Sequence, residues 1–157
     1  MEANLSTLAP RQPDRREAET VRKFSFLRRV LTPRTVFMEI GSSDCELSVR
    51  AASYVERVWC VDAQRRVSRP PCNLRWDAMG GVPLQSIDVA FSERFAEAAD
   101  VCRLLAPGGV WFVYGAALPA EAFCRAGFSR VRYFSGRLPV PARLARMSRS
   151  ATTAAYK

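Results

Sequence analysis

The sequence predicts an α/β protein with a Rossmann-like, doubly wound and mostly parallel sheet, arranged as a three-layer α/β/α sandwich. Short apolar runs alternate with segments of helical spacing along most of the 157 residues. This alternation is typical of parallel strands covered by helices on both faces. Several apolar runs also end at a glycine or an acid, as at Gly41 and Asp62. In such sheets ligands bind beyond the carboxyl ends of the strands.

The N-terminal segment predicts an arm followed by a helix. Residues 1–13 are polar and contain proline, so we expect a flexible arm. Residues 14–157 are expected to form a single domain, because this length suits one hydrophobic core. From Asp14 to Leu31 apolar residues recur at helical spacing among many charges, and Pro33 ends the pattern.

The remaining elements follow in alternation. The link between the second and third strands is short and contains two prolines, so its helix is expected to be reduced or absent. A basic loop is expected over 137–151. Strands are predicted at 35–40, 57–62, 73–76, 87–91, 109–115, 129–135 and 152–157, and helices at 44–54, 93–105 and 119–128.

The composition excludes several classes of chemistry. The chain contains no histidine, which excludes Ser-His-Asp, Cys-His and HExxH sites. Its five cysteines show no paired spacing, so we expect reduced thiols, no metal site and a cytoplasmic protein. The longest apolar run, around 108–120, is shorter than the ~20 residues of a membrane span.

The net charge of +9 raises the question of a nucleic-acid partner. Lys23 and Lys157 are the only lysines among 24 basic residues. Such an arginine excess is typical of a base-composition bias, and we interpret the surface as solvated. A nucleic-acid partner is therefore not favoured.

The stretch VFMEIGSSDCEL, residues 36–47, combines a strand with a buried acid and a tight turn. Glu39 lies inside the apolar run, and Gly41 follows it. A small turn lets a ligand approach the backbone, and we expect the amides that open the next helix to face that ligand. Asp62 comes about 20 residues later, the spacing at which an acid holds ribose hydroxyls in nucleotide-binding sheets.

Five motifs in order resemble those of the class I S-adenosylmethionine-dependent methyltransferases. They are VFMEIGSSDCELS, VWCVDA, RWDA, IDVAFSE and LLAPGGVWFV, and they cover about 36–115. The resemblance implies S-adenosylmethionine as the cofactor and a small molecule or glycan-like metabolite as the methyl acceptor.

The resemblance also assigns residues to the methionine end of the cofactor. Glu39 would lie under the turn, near the methionine amino group. Gly41, Ser42 and Ser43 would pack against the methionine and sugar portions.

At the other end of the cofactor, Asp62 would accept from the ribose hydroxyls and Ala63 would lie beside the adenine. Asp77 would accept from the adenine amino group, and Ala78 would offer its backbone amide to the ring.

Two residues after the fourth strand, Ser92 and Glu93, would face the reacting methyl. Glu93 is the candidate general base, because no histidine is present. Glu93 also starts a predicted helix, which weakens it as a base, since a helix N-terminus favours the ionised carboxylate.

The turn departs from the family pattern GxGxG, because only Gly41 is kept and serine stands at 43. Two other functions therefore stay open beside an active methyltransferase. One is a non-catalytic protein of the same fold that acts as a binding partner or scaffold. The other is an NAD-dependent oxidoreductase, although its GxGxxG motif would place glycine where Ser43 and Glu46 stand.

Overall fold

The computed structural model describes residues 14–64, 67–148 and 151–157, and the arm predicted for 1–13 lies outside them. The strands are β1 (Val36–Ile40), β2 (Arg57–Val61), β3 (Leu74–Asp77), β4 (Ile87–Ser92), β5 (Leu105–Tyr114), β6 (Arg130–Ser135), β7 (Leu138–Val140) and β8 (Ala151–Tyr156). The helices are α1 (Arg15–Leu27), α2 (Glu46–Ala52), α3 (Ala98–Leu104), α4 (Ala120–Arg125) and α5 (Ala142–Ala145).

The strands form one sheet in the order β3-β2-β1-β4-β5-β8-β6-β7. The first five strands in this order, β3, β2, β1, β4 and β5, are all parallel to one another. Strand β8 runs antiparallel to β5 and β6. The strand order reverses between β1 and β4. In a doubly wound sheet this reversal opens a crevice at the carboxyl ends of the strands, where ligands bind.

Alternation along each strand builds two cores, one on each face of the sheet. On β1, Phe37 belongs to the core under α1 and α2, and Met38 to the core under α3 and α4. On β4, Phe91 and Ala90 divide in the same way. The three-layer α/β/α sandwich predicted from the sequence is therefore confirmed.

Helix α1 is anchored by aromatic packing at its carboxyl end. Leu27 is fully buried, and the Phe26 ring lies 5.2 Å from Phe112 and 5.7 Å from Phe134. Its amino-terminal half contacts α2 through polar groups, including a 3.5 Å ion pair between Glu17 and Arg50. The helix therefore lies across the open carboxyl edge of the sheet.

Three elements differ from the sequence prediction. Strand β8, predicted only as a last short strand, lies inside the sheet, where residues 151–155 are all buried. The segment predicted as a basic loop contains β7 and α5. Helix α3 begins at Ala98 rather than at 93, because Glu93 pairs with Lys23 and the Phe95 ring packs 5.6 Å from Trp111.

The connection between β2 and β3 contains no helix in its described residues, as the sequence predicts. Across the described parts of the chain, no helix has the length and apolar character that crossing a bilayer requires.

Candidate functional site

A cavity of about 350 Å³ opens at the crevice between β1 and β4. The β1–α2 turn forms its floor, and α1 forms one wall. Its lining residues come from four parts of the chain and are largely polar: Arg16, Glu19, Thr20, Lys23, Glu39, Ser42, Ser43, Asp44, Leu47, Gln64 and Glu93. The sequence-predicted residues Glu39, Ser42, Ser43 and Glu93 are thus brought together.

Glu39 is a buried carboxylate at the base of this cavity, with 4% of its surface exposed. Its Oε2 accepts hydrogen bonds from the Ser48 amide at 3.0 Å and the Ser48 hydroxyl at 2.5 Å. Burial raises the pKa of Glu39, and the hydrogen bonds from Ser48 and Ser42 offset only part of that effect. The side chain therefore ties β1 to α2 beneath the turn.

The turn after β1 is held by short hydrogen bonds. Gly41 has a φ of +69°, a conformation that favours glycine, and its amide donates to the Val61 carbonyl at 2.8 Å. The Ser42 hydroxyl accepts from the Cys45 amide at 2.9 Å, and Asp44 Oδ1 accepts from the Glu46 amide at 3.2 Å.

These contacts correct one expectation. The amides at the start of α2 were expected to face a ligand, but those of Cys45, Glu46 and Ser48 donate to nearby side chains. Local acceptors in the turn satisfy these otherwise unpaired groups. A ligand here would meet side chains more than helix amides.

Lys23 is the main site residue that the sequence did not reveal. Its ammonium contacts Glu93 at 2.6 Å and Glu19 at 3.1 Å, and it lies 5.6 Å from the centroid of the Tyr114 ring. Burial alone would lower the pKa of Lys23, but the two carboxylates outweigh it and raise that pKa. One signal was present: Lys23 is a lysine inside a chain that otherwise uses arginine almost throughout.

No protein-family model matches the sequence, and the search of curated proteins found no match. Solved structures do match. An S-adenosylmethionine-dependent methyltransferase from Mesorhizobium loti is 15% identical with a TM-score of 0.57, over 87% of this chain and 98% of that one. This chain has the class I methyltransferase fold.

Two further solved structures match this fold. A phosphoethanolamine N-methyltransferase from Haemonchus contortus, solved with S-adenosylhomocysteine, matches 89% of this chain at a TM-score of 0.63 and 13% identity. The match spans only 52% of that enzyme. A precorrin 8w decarboxylase from Methanobacterium thermoautotrophicum also matches, at 0.53 and 18% identity, over 95% of this chain and 94% of that one.

The residues predicted to contact the ribose and adenine lie at adjacent strand ends. Asp62 is exposed after β2, with a φ of +52°, and its amide donates to the Asp77 carbonyl at 3.2 Å. Ala63 is half-buried against the core. The Ala78 amide, predicted to face the adenine, instead donates to Asp77 Oδ1 at 2.8 Å. The two predicted adenine contacts are thus bonded to each other.

Ser92 does not reach the cavity with its side chain. Its hydroxyl is buried and accepts a hydrogen bond from the Trp111 indole at 3.0 Å. Ser92 lies opposite Ile40 in the sheet register, so both side chains point to the face covered by α3 and α4. The alternation of side chains along β4 turns Glu93, one residue later, toward α1.

The charge of the cavity suits a cationic ligand. Its acids are Glu19, Glu39, Asp44 and Glu93, and its bases are Arg16 and Lys23. Among the described residues that line the cavity, acids therefore exceed bases by two, in a protein whose net charge is +9. Apart from Gly41 and its two neighbours along the chain, no atom of the described residues lies within 4 Å of the position that a Cβ on Gly41 would take. The turn thus leaves open space beside a cavity in which the described acids outnumber the described bases.

Stability should depend on the ionisation of Glu39. A raised pKa means that the folded state holds the proton more tightly, so stability falls as pH rises from about 4.5 to the folded pKa. Glu39→Gln removes this loss while keeping an acceptor for Ser48. Urea unfolding at several pH values should show Glu39→Gln gaining on wild type as pH rises. The same gain in Glu56→Gln, at an exposed glutamate, would contradict the assignment.

Two buried thiols lie next to the turn. Cys45 and Cys60 place their sulfur atoms 2.7 Å apart, and burial together with the Cys45 contact raises the pKa of Cys60. Cys102 is also buried, whereas Cys72 and Cys124 are exposed. A thiol reagent should therefore label Cys72 and Cys124 quickly and the other three slowly, as followed by peptide mass spectrometry. Rapid labelling of Cys60 in the native protein would contradict this burial.

Proposed function

We propose that this protein binds S-adenosylmethionine at the β1–α2 turn and transfers its methyl group to a small-molecule or glycan-like acceptor. The observation that carries the proposal is the acidic cavity at the strand-order reversal. The methionine end of the cofactor carries an ammonium and a sulfonium against one carboxylate. An acidic lining attracts this net positive charge, and attraction is stronger in a partly enclosed site than in open water.

The same charge disfavours the NAD-dependent alternative. In dinucleotide-binding sheets the pyrophosphate lies at this first turn, on helix amides. Here Glu39 and Asp44 line the turn. The amides of Cys45 and Glu46 already have acceptors. A pyrophosphate would therefore meet repulsion without its usual donors.

Residues around the crevice would hold separate parts of the cofactor. Glu39 and Asp44 supply negative charge for the methionine ammonium, and Arg16 is the cation available to its carboxylate. Asp62 is exposed and offers two oxygens to the ribose hydroxyls. Asp77 keeps one carboxylate oxygen for the adenine amino group after bonding the Ala78 amide. When bound, the cofactor supplies a methyl group already activated on sulfur.

The work left to the chain is to align the acceptor and to handle its proton. Glu93 lies at the carboxyl end of β4 with more than half of its side chain exposed, so an acceptor can approach it. Its Oε1 already accepts from Lys23 at 2.6 Å. Because the Glu93 carboxylate is already paired with Lys23, we expect positioning to contribute more than base catalysis.

Glu93→Gln tests this balance. The glutamine keeps the shape but cannot accept a proton, so single-turnover methyl transfer at saturating cofactor should fall by less than about tenfold. Glu121→Gln, an exposed glutamate on α4, is the matched control. If the variant keeps the wild-type rate of methyl transfer across the pH range, Glu93 is not a base and only positioning remains. A loss well above a hundredfold would make Glu93 an essential base.

Two observations favour a second candidate, a non-catalytic protein of this fold that acts as a binding partner or scaffold. The Lys23–Glu93 ion pair stands at the edge where an acceptor should meet the methyl. The turn also keeps only the first glycine of the family pattern. Such a protein would bind the cofactor weakly or not at all and would methylate nothing.

Two experiments separate these functions. Calorimetric titration with S-adenosylmethionine, S-adenosylhomocysteine and NAD should show saturable binding of the first two and none of NAD. Transfer of a radiolabelled methyl group is then screened across small alcohols, amines, phenols and sugars. Binding without transfer to any acceptor would favour the non-catalytic function, and no binding of either nucleoside would overturn the proposal.

A further inference from the structure

One face of α1 lines a groove that runs toward β7. The groove continues from the 350 Å³ cavity at the β1–α2 turn, which we call the cofactor cavity. Arg15, Glu19, Arg22 and Phe26 recur at intervals of three or four residues, which places them on one side of the helix. This side borders two cavities of about 570 and 490 Å³. The two cavities share Arg22 and Tyr114, and the first shares Glu93 with the cofactor cavity. We call this continuous space the α1 groove.

The charge along this space reverses sign. Among the described residues, the cofactor cavity has an excess of acids, whereas the far cavity of the α1 groove is lined by Arg22 and Arg137 and by no acid. Within the described parts of the chain Arg22 is exposed and makes no ion pair or hydrogen bond through its side chain. Arg137 donates to the Ser25 hydroxyl. The far end therefore presents positive charge that the protein itself does not neutralise.

The far cavity of the α1 groove also has an apolar part. Val21, Phe26 and Tyr114 line the far cavity, and Val21 is 45% exposed. Aromatic rings of this kind favour a flat apolar ligand through offset or edge-on packing. The far cavity therefore combines apolar side chains with guanidinium groups.

We infer that the α1 groove binds the methyl acceptor, and that the acceptor is a small acid with an aromatic or other apolar body. Its anionic group, a carboxylate or phosphate, would lie at Arg22 and Arg137, and its nucleophile would point to Glu93. From Glu19, beside Glu93, to Ser25, beside Arg137, the helix rises roughly 9 Å. An acceptor should therefore place about that distance between nucleophile and anion. This inference rests on the proposed function.

The test compares ligands that share a para-hydroxyphenyl group and differ in the group at the other end, which is anionic or neutral. The probes are para-hydroxyphenylpropanoate, its primary amide and para-hydroxyphenethyl phosphate, each titrated by calorimetry with and without saturating S-adenosylhomocysteine. The acid and the phosphate should bind about three- to tenfold more tightly than the amide, because the guanidinium groups at this end are exposed. Arg22→Gln should remove most of that difference. Arg34→Gln, at an exposed arginine before β1, controls for net charge.

The outcomes are separable from those of the proposed function. Equal binding of the acid and the amide to wild type would overturn the inference, and so would an equal loss in Arg34→Gln. A preference for the phosphate over the carboxylate would identify the anion while supporting the groove. Failure of S-adenosylhomocysteine to bind would count against the proposed function, while the titrations without it would still decide the charge preference of the groove.

Discussion

Gly41→Ala is expected to lower the affinity for S-adenosylmethionine by about ten- to a hundredfold, which corresponds to roughly 1.4–2.7 kcal/mol. The new Cβ would project into space that the other described residues leave open to 4 Å and that the proposed cofactor would fill. The φ of +69° also disfavours any side chain, so the variant should lose about 1–2 kcal/mol of folding stability. Calorimetry and urea unfolding measure the two effects separately.

Gly108→Ala provides the matched control for this prediction. Gly108 has a φ of +80° and open space at its Cβ position, but it lies near the start of β5, at the opposite edge of the sheet. It should lose similar stability and keep wild-type affinity. An equal affinity loss in both variants would show that backbone strain, rather than obstruction of the turn, weakens binding.

Asp62→Asn is expected to weaken cofactor binding by about ten- to thirtyfold, the loss typical of removing charge from an exposed but directed hydrogen-bonding group. Asparagine is chosen because Asp62 has a φ of +52°, and asparagine tolerates this region better than alanine. The backbone bond to Asp77 should therefore survive, and stability should change little.

Asp100→Asn is the control, since Asp100 lies on α3 and pairs with Arg103 at 2.5 Å on the other face of the sheet. The affinity ratio for S-adenosylmethionine over free methionine sharpens the measurement. Asp62→Asn should lower the affinity for S-adenosylmethionine and leave the affinity for methionine unchanged. Unchanged affinity for S-adenosylmethionine in the folded variant would remove Asp62 from the site.

The sheet and the turn were predictable because local sequence determines them. The apolar run before Gly41 and the acid after β2 carry their own signals, namely periodicity, a small-residue turn and spacing along the chain. These signals also located Glu39 and Asp62 at neighbouring strand ends. The rule that crossover connections are right-handed then narrows the topologies that these parallel strands can adopt.

Contacts between distant segments were not predictable. Lys23 and Glu93 are 70 residues apart, and only the packing of α1 across the sheet brings them to 2.6 Å. The side chain of Ser92 points to the face covered by α3 and α4 rather than into the cavity, because the register between β4 and β1 sets its face of the sheet. The interior position of β8 likewise depends on pairing with β5 and β6 rather than on its own residues.

An amide chemical-shift titration of the isotope-labelled protein with S-adenosylmethionine tests the central claim most directly. We expect saturable shifts at Gly41, Ser43, Asp62 and Asp77, with a common dissociation constant and no comparable shifts on titration with NAD. Saturable binding that leaves these four amides unmoved would contradict the account, as would shifts that follow NAD instead.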